Sequence, residues 1–164
     1  MQDKTTHTPR KRFGQNFLHD TRMIQRIASS IGLTANDTVL EIGPGQGALT
    51  EVLLPYQAQL TAVELDRDLV RLLREKFASN TNFQLLEGDA LQFDIASLSP
   101  AASSVRVVGN LPYNISTPLL FHLLNQRAWI CDMHFMLQKE VVQRLAAEPG
   151  GKDYGRLSVM AQYY

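Results

Sequence analysis

A glycine-rich segment directly after an apolar, strand-like run constrains the fold of this chain more than any other feature. The run Thr38–Glu41 precedes three glycines at alternate positions, which are Gly43, Gly45 and Gly47. Glycines at this spacing let the backbone turn sharply and approach a ligand, because no Cβ is in the way. The next segment, Ala48–Leu54, has the periodicity of a helix. This order of strand, glycine loop and helix is typical of an α/β protein with a ligand site at the loop.

The spacing of the glycines argues against a dinucleotide as the ligand. Dinucleotide-binding folds prefer G-x-G-x-x-G, which directs a helix N-terminus at a pyrophosphate. Here the third glycine comes one residue early, and the acid Glu41 precedes the first glycine. A carboxylate offers little to an anionic pyrophosphate, whereas it attracts a ligand that carries an ammonium group. The methionine part of S-adenosylmethionine has such a group and matches the loop better.

Acidic residues also follow the next two predicted strands. Glu64 ends an apolar run about 20 residues after the loop, where nucleoside-binding sheets place a carboxylate that accepts both ribose hydroxyls. Asp89 follows the third run, Phe83–Leu86, and is placed to accept a hydrogen bond from the amine of an adenine ring. Acids at successive strand ends meet at the edge of a parallel sheet where ligands bind. The neighbouring acids have local interpretations: Asp66 and Asp68 begin the helix Arg67–Phe77, and Glu87 faces solvent.

The motif Asn110-Leu-Pro-Tyr113 stands at the end of a further apolar run, Val105–Gly109. It combines a carboxamide, the backbone carbonyl of Pro112 and an aromatic ring. A base with an exocyclic amine suits these groups, because Asn110 can accept a hydrogen from the amine while Tyr113 stacks on the ring. The alternative is a simple turn, in which Asn and Pro only end the strand. The acids upstream favour the ligand site.

Several motifs together resemble the ribosomal RNA adenine N6,N6-dimethyltransferases. The similarity extends from residue 10 to the last residue and is greatest with the small-subunit branch of that family. The segments that carry it are Phe13–Leu18, Glu41–Gly45, Val63–Asp66, Gly88–Ala90, Asn110–Ser116, Phe135–Leu145 and Tyr154–Ser158.

The resemblance implies a Rossmann-like α/β fold, that of the class I S-adenosylmethionine-dependent methyltransferases, with helices flanking the sheet. It implies S-adenosylmethionine as cofactor and, as substrate, 16S rRNA within the small ribosomal subunit or its precursor. The product would be N6,N6-dimethyladenosine at two adjacent adenosines of a hairpin loop near the 3′ end. The catalytic residues would be Asn110, Pro112 and Tyr113. The cofactor would be bound by Asn16, Leu18, Gly43, Gly45, Glu64, Asp89, Ala90 and Asn110, with Leu111 packed nearby and Phe135 and Lys139 closer to the target base.

Alternating strand and helix patterns predict a parallel sheet covered on both faces. Pro118 is predicted in the first turn of its helix, where its missing N–H costs nothing. The family sheet has one more strand than the six predicted here and is followed by a helical domain, so we expect the chain to be a piece of a longer protein. The predicted strands are 38–42, 59–64, 83–86, 104–109, 130–138 and 156–164, and the helices are 21–31, 47–54, 67–77, 117–126 and 139–147.

Composition and charge set the remaining expectations. The chain has 164 residues, 45% of them apolar, which suffices for one buried domain over residues 21–164. Residues 1–20 are interpreted as a basic arm and cofactor-closing segment, since residues 1–30 carry a net charge of +4 in a chain of net charge zero. The histidines lack metal-ligand spacing, so no metal is expected. Cys131, the single cysteine, is predicted to be buried, and we expect a cytoplasmic monomer without a membrane span.

Three alternatives stay open at this point. A nicotinamide-dependent dehydrogenase would explain the glycine loop and Glu64, although not the motif that begins at Asn110. A large-subunit rRNA adenine methyltransferase would share most of the motifs. A non-catalytic RNA-binding assembly factor on the same scaffold would be expected to have lost the cofactor loop or Asn110, and both are present.

Overall fold

A parallel sheet forms the centre of the protein in the computed structural model, which describes residues 21–99 and 101–164. Within those residues the sheet has five strands in the order β3-β2-β1-β4-β5. The order reverses between β1 and β4, and such a switch point opens a crevice at the carboxyl ends of the strands. The strands are β1 Thr38–Ile42, β2 Gln59–Glu64, β3 Phe83–Glu87, β4 Val105–Asn110 and β5 Ile130–Met136.

Helices cover both faces of the sheet because successive strand residues point to opposite sides. Val39 and Val108 pack in one apolar cluster with residues of α1, α2 and α3. Leu40 and Val107, their neighbours in the chain, pack in a second cluster with residues of α4. The strands are therefore apolar on both sides, as is usual for parallel sheets. The helices are α1 Thr21–Ile31, α2 Ala48–Leu53, α3 Arg67–Lys76, α4 Tyr113–Asn125, α5 Lys139–Leu145 and α6 Arg156–Tyr163.

The last predicted strand is wrong, because residues 156–163 form helix α6. Leu157 and Val159 alternate with the polar residues Arg156 and Ser158, which is also a pattern typical of a strand. In the structure the buried residues are the neighbours Leu157 and Ser158, while Val159 is exposed. The Ser158 hydroxyl accepts the N–H of Gly155 at 3.1 Å, which closes the first helical turn. It also donates to the carbonyl of Arg144, which ties α6 to α5.

Helix α4 begins earlier than predicted. Its first residue is Tyr113 and its N-cap is Pro112, so Pro118 is the sixth residue and not part of the first turn. Proline at that position lacks the N–H that would bond to the carbonyl four residues back, on the exposed Asn114. The early start brings Tyr113 and Asn114 onto the first helical turn, directly after the end of β4.

Cys131 is exposed, contrary to the prediction. The pairing of β4 with β5 runs from Val105 opposite Ile130 to Arg106 opposite Asp132, so Cys131 is an extra residue in a β-bulge. A bulged residue stands outside the ladder and need not follow the burial of its apolar neighbours. Across residues 21–99 and 101–164, no helix combines the length and the apolar character needed to cross a membrane.

Candidate functional site

A cavity of about 710 Å³ opens at the carboxyl ends of the strands, at the switch point of the sheet. The site residues predicted from the sequence converge on it from four strand ends. Tyr113 stands next to it and is exposed, although it is not part of the cavity wall. Asn16 and Leu18 lie outside the residues that the structure describes. The predicted residues that line the cavity are Gly43, Gly45, Glu64, Asp89, Ala90, Asn110, Leu111 and Pro112.

The glycine loop forms one wall of the cavity. Its three glycines, Gly43, Gly45 and Gly47, have φ values of 64°, 60° and 81°, which other residues rarely adopt. The loop is tied to β2, because Gly43 N donates to Val63 O at 3.0 Å and Gly45 N donates to Glu64 Oε2 at 3.2 Å. At Gly43 and Gly45 the cavity is therefore lined by backbone without a side chain.

Glu64 ends β2 and is buried at the cavity wall. Its Oε1 accepts the N–H groups of Leu65 and Asp66, each at 2.9 Å. Burial raises the pKa of Glu64, and the hydrogen bonds from backbone N–H groups oppose that shift. These bonds hold the carboxylate in one orientation, between the glycine loop and the turn that follows β2.

Glu41 lies beneath the glycine loop and is 1% exposed. The hydroxyl of Thr50, on α2, donates to Glu41 Oε2 at 2.7 Å. Burial disfavours the charged form and raises the pKa of Glu41 to about 7, and the nearby Glu64 adds to the effect. The cavity therefore has two buried acids on one side, and a positively charged ligand would stabilise their ionised forms.

Asp66 and Glu87 behave as predicted from their positions in the chain. Asp66 caps α3 by accepting the N–H of Asp68 at 3.0 Å, and Glu87 forms an exposed ion pair with Arg67. Asp89 lines the cavity and accepts the N–H of Leu91 at 2.9 Å, which begins a short 3₁₀ turn.

The motif at the end of β4 presents three kinds of group. Asn110 is the last residue of the strand, and its side chain is partly exposed at the cavity. The carbonyl of Pro112 already accepts the Ser116 hydroxyl at 2.9 Å and the N–H of Ile115 at 3.2 Å. Tyr113 is exposed, and its interaction with the carboxylate of Glu140 on α5 raises the pKa of the phenol.

Other cavity residues were not foreseen from the sequence. Leu65 is 50% exposed and lies in the wall between two buried acids. The sequence does contain a signal for Leu65, because it is a single apolar residue between Glu64 and Asp66 at the end of a strand. A large apolar side chain that is exposed at this place suits contact with a flat ring. Leu137 and Gln138 line the cavity, whereas the flanking Phe135 and Lys139 do not; Met136, Glu51 and Lys76 also contribute.

No group of His, Cys, Asp and Glu side chains in the described part of the chain could hold a metal ion. The polar groups of the cavity include the buried carboxylates of Glu41 and Glu64, the carboxamide of Asn110 and backbone N–H groups, set among apolar side chains. This composition suits an organic ligand with a cationic part and a flat aromatic part.

Comparison with known proteins gives a consistent result. The family model described as "Ribosomal RNA adenine dimethylase" matches residues 6–164. All 164 residues align at 63% identity with "Ribosomal RNA small subunit methyltransferase A" of Pseudomonas fluorescens (strain Pf0-1), and at 60% with the protein of the same name from Pseudomonas aeruginosa. The chain spans 60% and 61% of the lengths of these two relatives.

Two solved structures resemble the fold closely. A dimethyladenosine transferase from Plasmodium falciparum aligns with a TM-score of 0.79 and 27% identity, over 91% of this chain and 53% of that one. The 23S rRNA methyltransferase ErmE aligns with a TM-score of 0.75 and 30% identity, over 90% of this chain and 57% of that one.

Proposed function

Because the chain belongs to the ribosomal RNA adenine dimethylase family, we propose that it forms the catalytic part of an rRNA methyltransferase. The enzyme transfers methyl groups from S-adenosylmethionine to N6 of adenines in small-subunit (16S) rRNA. Its product is N6,N6-dimethyladenosine at two adjacent adenosines of a hairpin loop near the 3′ end. Since the chain spans about 60% of its curated relatives, this activity is proposed for the whole protein.

The observation that carries the proposal is the convergence of Glu64, Asp89 and Asn110 on one cavity from the ends of three different strands. Residues so far apart in sequence gain nothing for folding by sharing a cavity. They serve a ligand that needs a polar group at each of several separated points.

The residues present fit S-adenosylmethionine. The buried acids Glu41 and Glu64 favour a cationic ligand, and the exposed face of Leu65 offers an apolar surface to an adenine ring. Gly43 and Gly45 would accommodate the methionine part, Glu64 the ribose, and Asp89 with Ala90 the adenine. When bound, the cofactor supplies an electrophilic methyl group.

The chain's own contribution to the reaction is to hold the target adenine. The N6 nitrogen is a weak nucleophile because its lone pair is delocalised into the ring. Asn110 and the Pro112 carbonyl would accept its hydrogens and free the lone pair, with the Pro112 oxygen shared with the hydroxyl of Ser116. Tyr113 would stack on the ring.

Catalysis in this proposal depends on position and not on a strong base. Orientation of the reacting atoms and fixed hydrogen-bond acceptors supply most of the rate enhancement. The adenine must leave its stack to reach the cavity, and this costs least in a loop of the RNA. An unpaired hairpin loop is therefore a suitable substrate.

The wider setting follows from this substrate. We propose 16S rRNA, in the small subunit or its precursor, as the partner, and the cytoplasm as the location. Residues 1–20 would act as a basic arm that contacts phosphates and as a segment that closes over the cofactor through Asn16 and Leu18. Residues 21–164 would form the catalytic domain, and the protein would act as a monomer.

A large-subunit target is the second candidate, and the similarity to ErmE supports it. The identity to the small-subunit relatives is about twice as high and covers the whole chain, so the small subunit remains the proposal. Nothing comparable supports a dehydrogenase or a non-catalytic factor.

The proposal is tested with the full-length protein, S-adenosylmethionine labelled in its methyl group, and ribosomal subunits from a strain that lacks the protein. We expect label in 16S rRNA, at two adjacent adenosines located by mass spectrometry. Label in large-subunit rRNA would favour the second candidate. Binding of RNA without transfer would indicate an assembly factor, and binding of NAD in place of S-adenosylmethionine would refute the methyltransferase proposal.

A further inference from the structure

Lys76, the last residue of α3, reaches across to the glycine loop. Its Nζ donates to the carbonyl of Gln46 at 3.0 Å and lies 3.5 Å from Oε2 of Glu51 on α2. All three residues line the cavity. The side chain is 34% exposed, and the ammonium group also lies 5.2 Å from the centroid of the Phe77 ring. Lys76 is the one lysine or arginine among the described residues that line the cavity.

The end of α3 also packs directly against the loop. A Cβ at Gly47 would come within 2.6 Å of the Phe77 ring and 2.9 Å of the Leu73 side chain. Gly47 has a φ of +81°, so both its conformation and its surroundings require glycine. The loop therefore follows the surface of α3, and Lys76 fastens it there.

A loop with three glycines loses much conformational freedom when it becomes ordered. Three hydrogen bonds from backbone N–H groups hold its start and middle. Gly43 donates to the carbonyl of Val63, Gly45 to the carboxylate of Glu64, and Gly47 to the carbonyl of Pro44 within the loop. The bond from Lys76 fixes the peptide between the second and third glycines, and hydrogen bonds from a charged donor are stronger than neutral ones. A loop ordered before binding costs a ligand less to occupy.

We propose that Lys76 is a positioning residue, which holds the glycine loop in its binding conformation and thereby sets the affinity for the cofactor. This inference rests on the proposed function only for the identity of the cofactor. Lys76 acts through the loop, so the rate at saturating cofactor does not depend on this residue.

The experiment compares four forms of the full-length protein: wild type, Lys76→Met, Lys76→Arg and Arg74→Met. Methionine keeps an apolar stem over Phe77, and arginine restores a cationic donor. Arg74 lies in the same last turn of α3 and is exposed, so its variant controls for the lost charge. Calorimetry with S-adenosylhomocysteine gives the Kd, and hydrogen exchange without ligand reports on the amides of residues 43–47.

We expect Lys76→Met to raise the Kd about 10-fold, as for the loss of one charge-assisted hydrogen bond, and to speed exchange in the loop. Its KM for S-adenosylmethionine should rise with kcat unchanged, whereas simple destabilisation would lower the active fraction and leave KM unchanged. Arginine should restore most of the affinity, and Arg74→Met should resemble wild type.

An unchanged Kd and unchanged loop exchange in Lys76→Met would overturn the inference, as would a fall in kcat alone. If the wild type fails to bind S-adenosylhomocysteine, the proposed function is refuted. The exchange measurement then still decides whether Lys76 orders the loop.

Discussion

The two ends of the parallel sheet handle charge in opposite ways. Near the amino end, Arg106 is 14% exposed and has several partners. Its Nη2 lies 2.7 Å from Oδ2 of Asp132 and 2.6 Å from the carbonyl of Ile31, and its Nη1 lies 3.4 Å from Asp37. Burial opposes ionisation of Asp132, yet the hydrogen bonds from Arg106 lower the pKa of Asp132. Charge at this end is matched within the protein.

The carboxyl end of the sheet leaves its acids in the opposite condition. Burial raises the pKa of both Glu41 and Glu64, and their hydrogen bonds come from one hydroxyl and from backbone N–H groups. Folding would gain from replacing such groups, since burial of an unmatched charge is costly. This difference indicates that the amino end of the sheet is arranged for stability. The carboxyl end is arranged for a ligand that supplies the missing positive charge.

The sharpest test of this contrast is Asn110→Ala. We expect turnover to fall about 1000-fold, a loss typical for removal of one fixed polar group that acts in the transition state. Cofactor affinity should fall much less, and the free energy of unfolding should stay near that of wild type. Single-turnover kinetics with RNA and calorimetry with S-adenosylhomocysteine separate these effects. A variant with near-normal turnover would remove the carboxamide from the mechanism.

Glu41→Gln tests whether the buried acid destabilises the fold. The folded protein holds the Glu41 proton more tightly than the unfolded chain, because burial raises its pKa from 4.5 to about 7. The wild type therefore loses stability as the pH rises from 4.5 to about 7, by roughly 3 kcal/mol, and no further loss follows above that. Gln does not titrate, so the stability of the variant relative to wild type should increase by this amount between pH 4.5 and pH 8.

Urea unfolding at pH 4.5 and pH 8 measures the difference, with Glu75→Gln as the control, because Glu75 is exposed on α3. If the stability difference between Glu41→Gln and wild type is the same at both pH values, burial does not raise the pKa of Glu41 in the folded protein. The contrast between the two ends would then lose its main support.

Arg106→Met should lower the stability of the fold and leave cofactor affinity unchanged. Removal of the guanidinium leaves Asp132 and the carbonyls of Ile31 and Gly32, at the end of α1, without this donor. We expect this to cost about 2 kcal/mol of unfolding free energy. The Kd for S-adenosylhomocysteine should not change, since Arg106 is remote from the cavity lining. A clear loss of affinity would mean that the two ends are coupled through the sheet.

Glu64→Ala should have the smallest effect of the four. We expect the Kd for S-adenosylhomocysteine to rise roughly 10-fold, because one carboxylate with several hydrogen bonds is lost while the cavity persists. Calorimetry checks this, and Glu87→Ala, at the exposed end of β3, serves as the matched control. Equal affinity in Glu64→Ala and wild type would assign the ribose contact to another residue.

Much of this architecture was predictable because its signals are local. Apolar runs located β1 to β5 within a few residues, the glycine loop and Asp66 marked the turns beside them, and the predicted class I methyltransferase fold is confirmed. The acids and Asn110 converge because parallel strands bring their carboxyl ends to one edge.

The rest could not be predicted because it depends on contacts between distant segments. The bond from Lys76 to Gln46 joins residues that are 30 positions apart, and no sequence pattern in α3 predicts it. Helix α6 is stabilised by its packing on α5. The short apolar alternation in its sequence gives no indication of this contact. The roles of the individual site residues stay predictions, since they concern ligands.

The bulge at Cys131 has a consequence for how this protein can vary. Val105 pairs with Ile130 and Arg106 pairs with Asp132, so Cys131 faces no residue of β4, and both its replacement and its deletion should leave this pairing intact. Deletion of a paired residue such as Met133 would instead shift part of β5 by one position and turn its side chains to the opposite face. Either Asp132 would then leave Arg106 or Met136 would leave the cavity wall. This strand should therefore tolerate a change of length at the bulge but not in the paired segment that follows it.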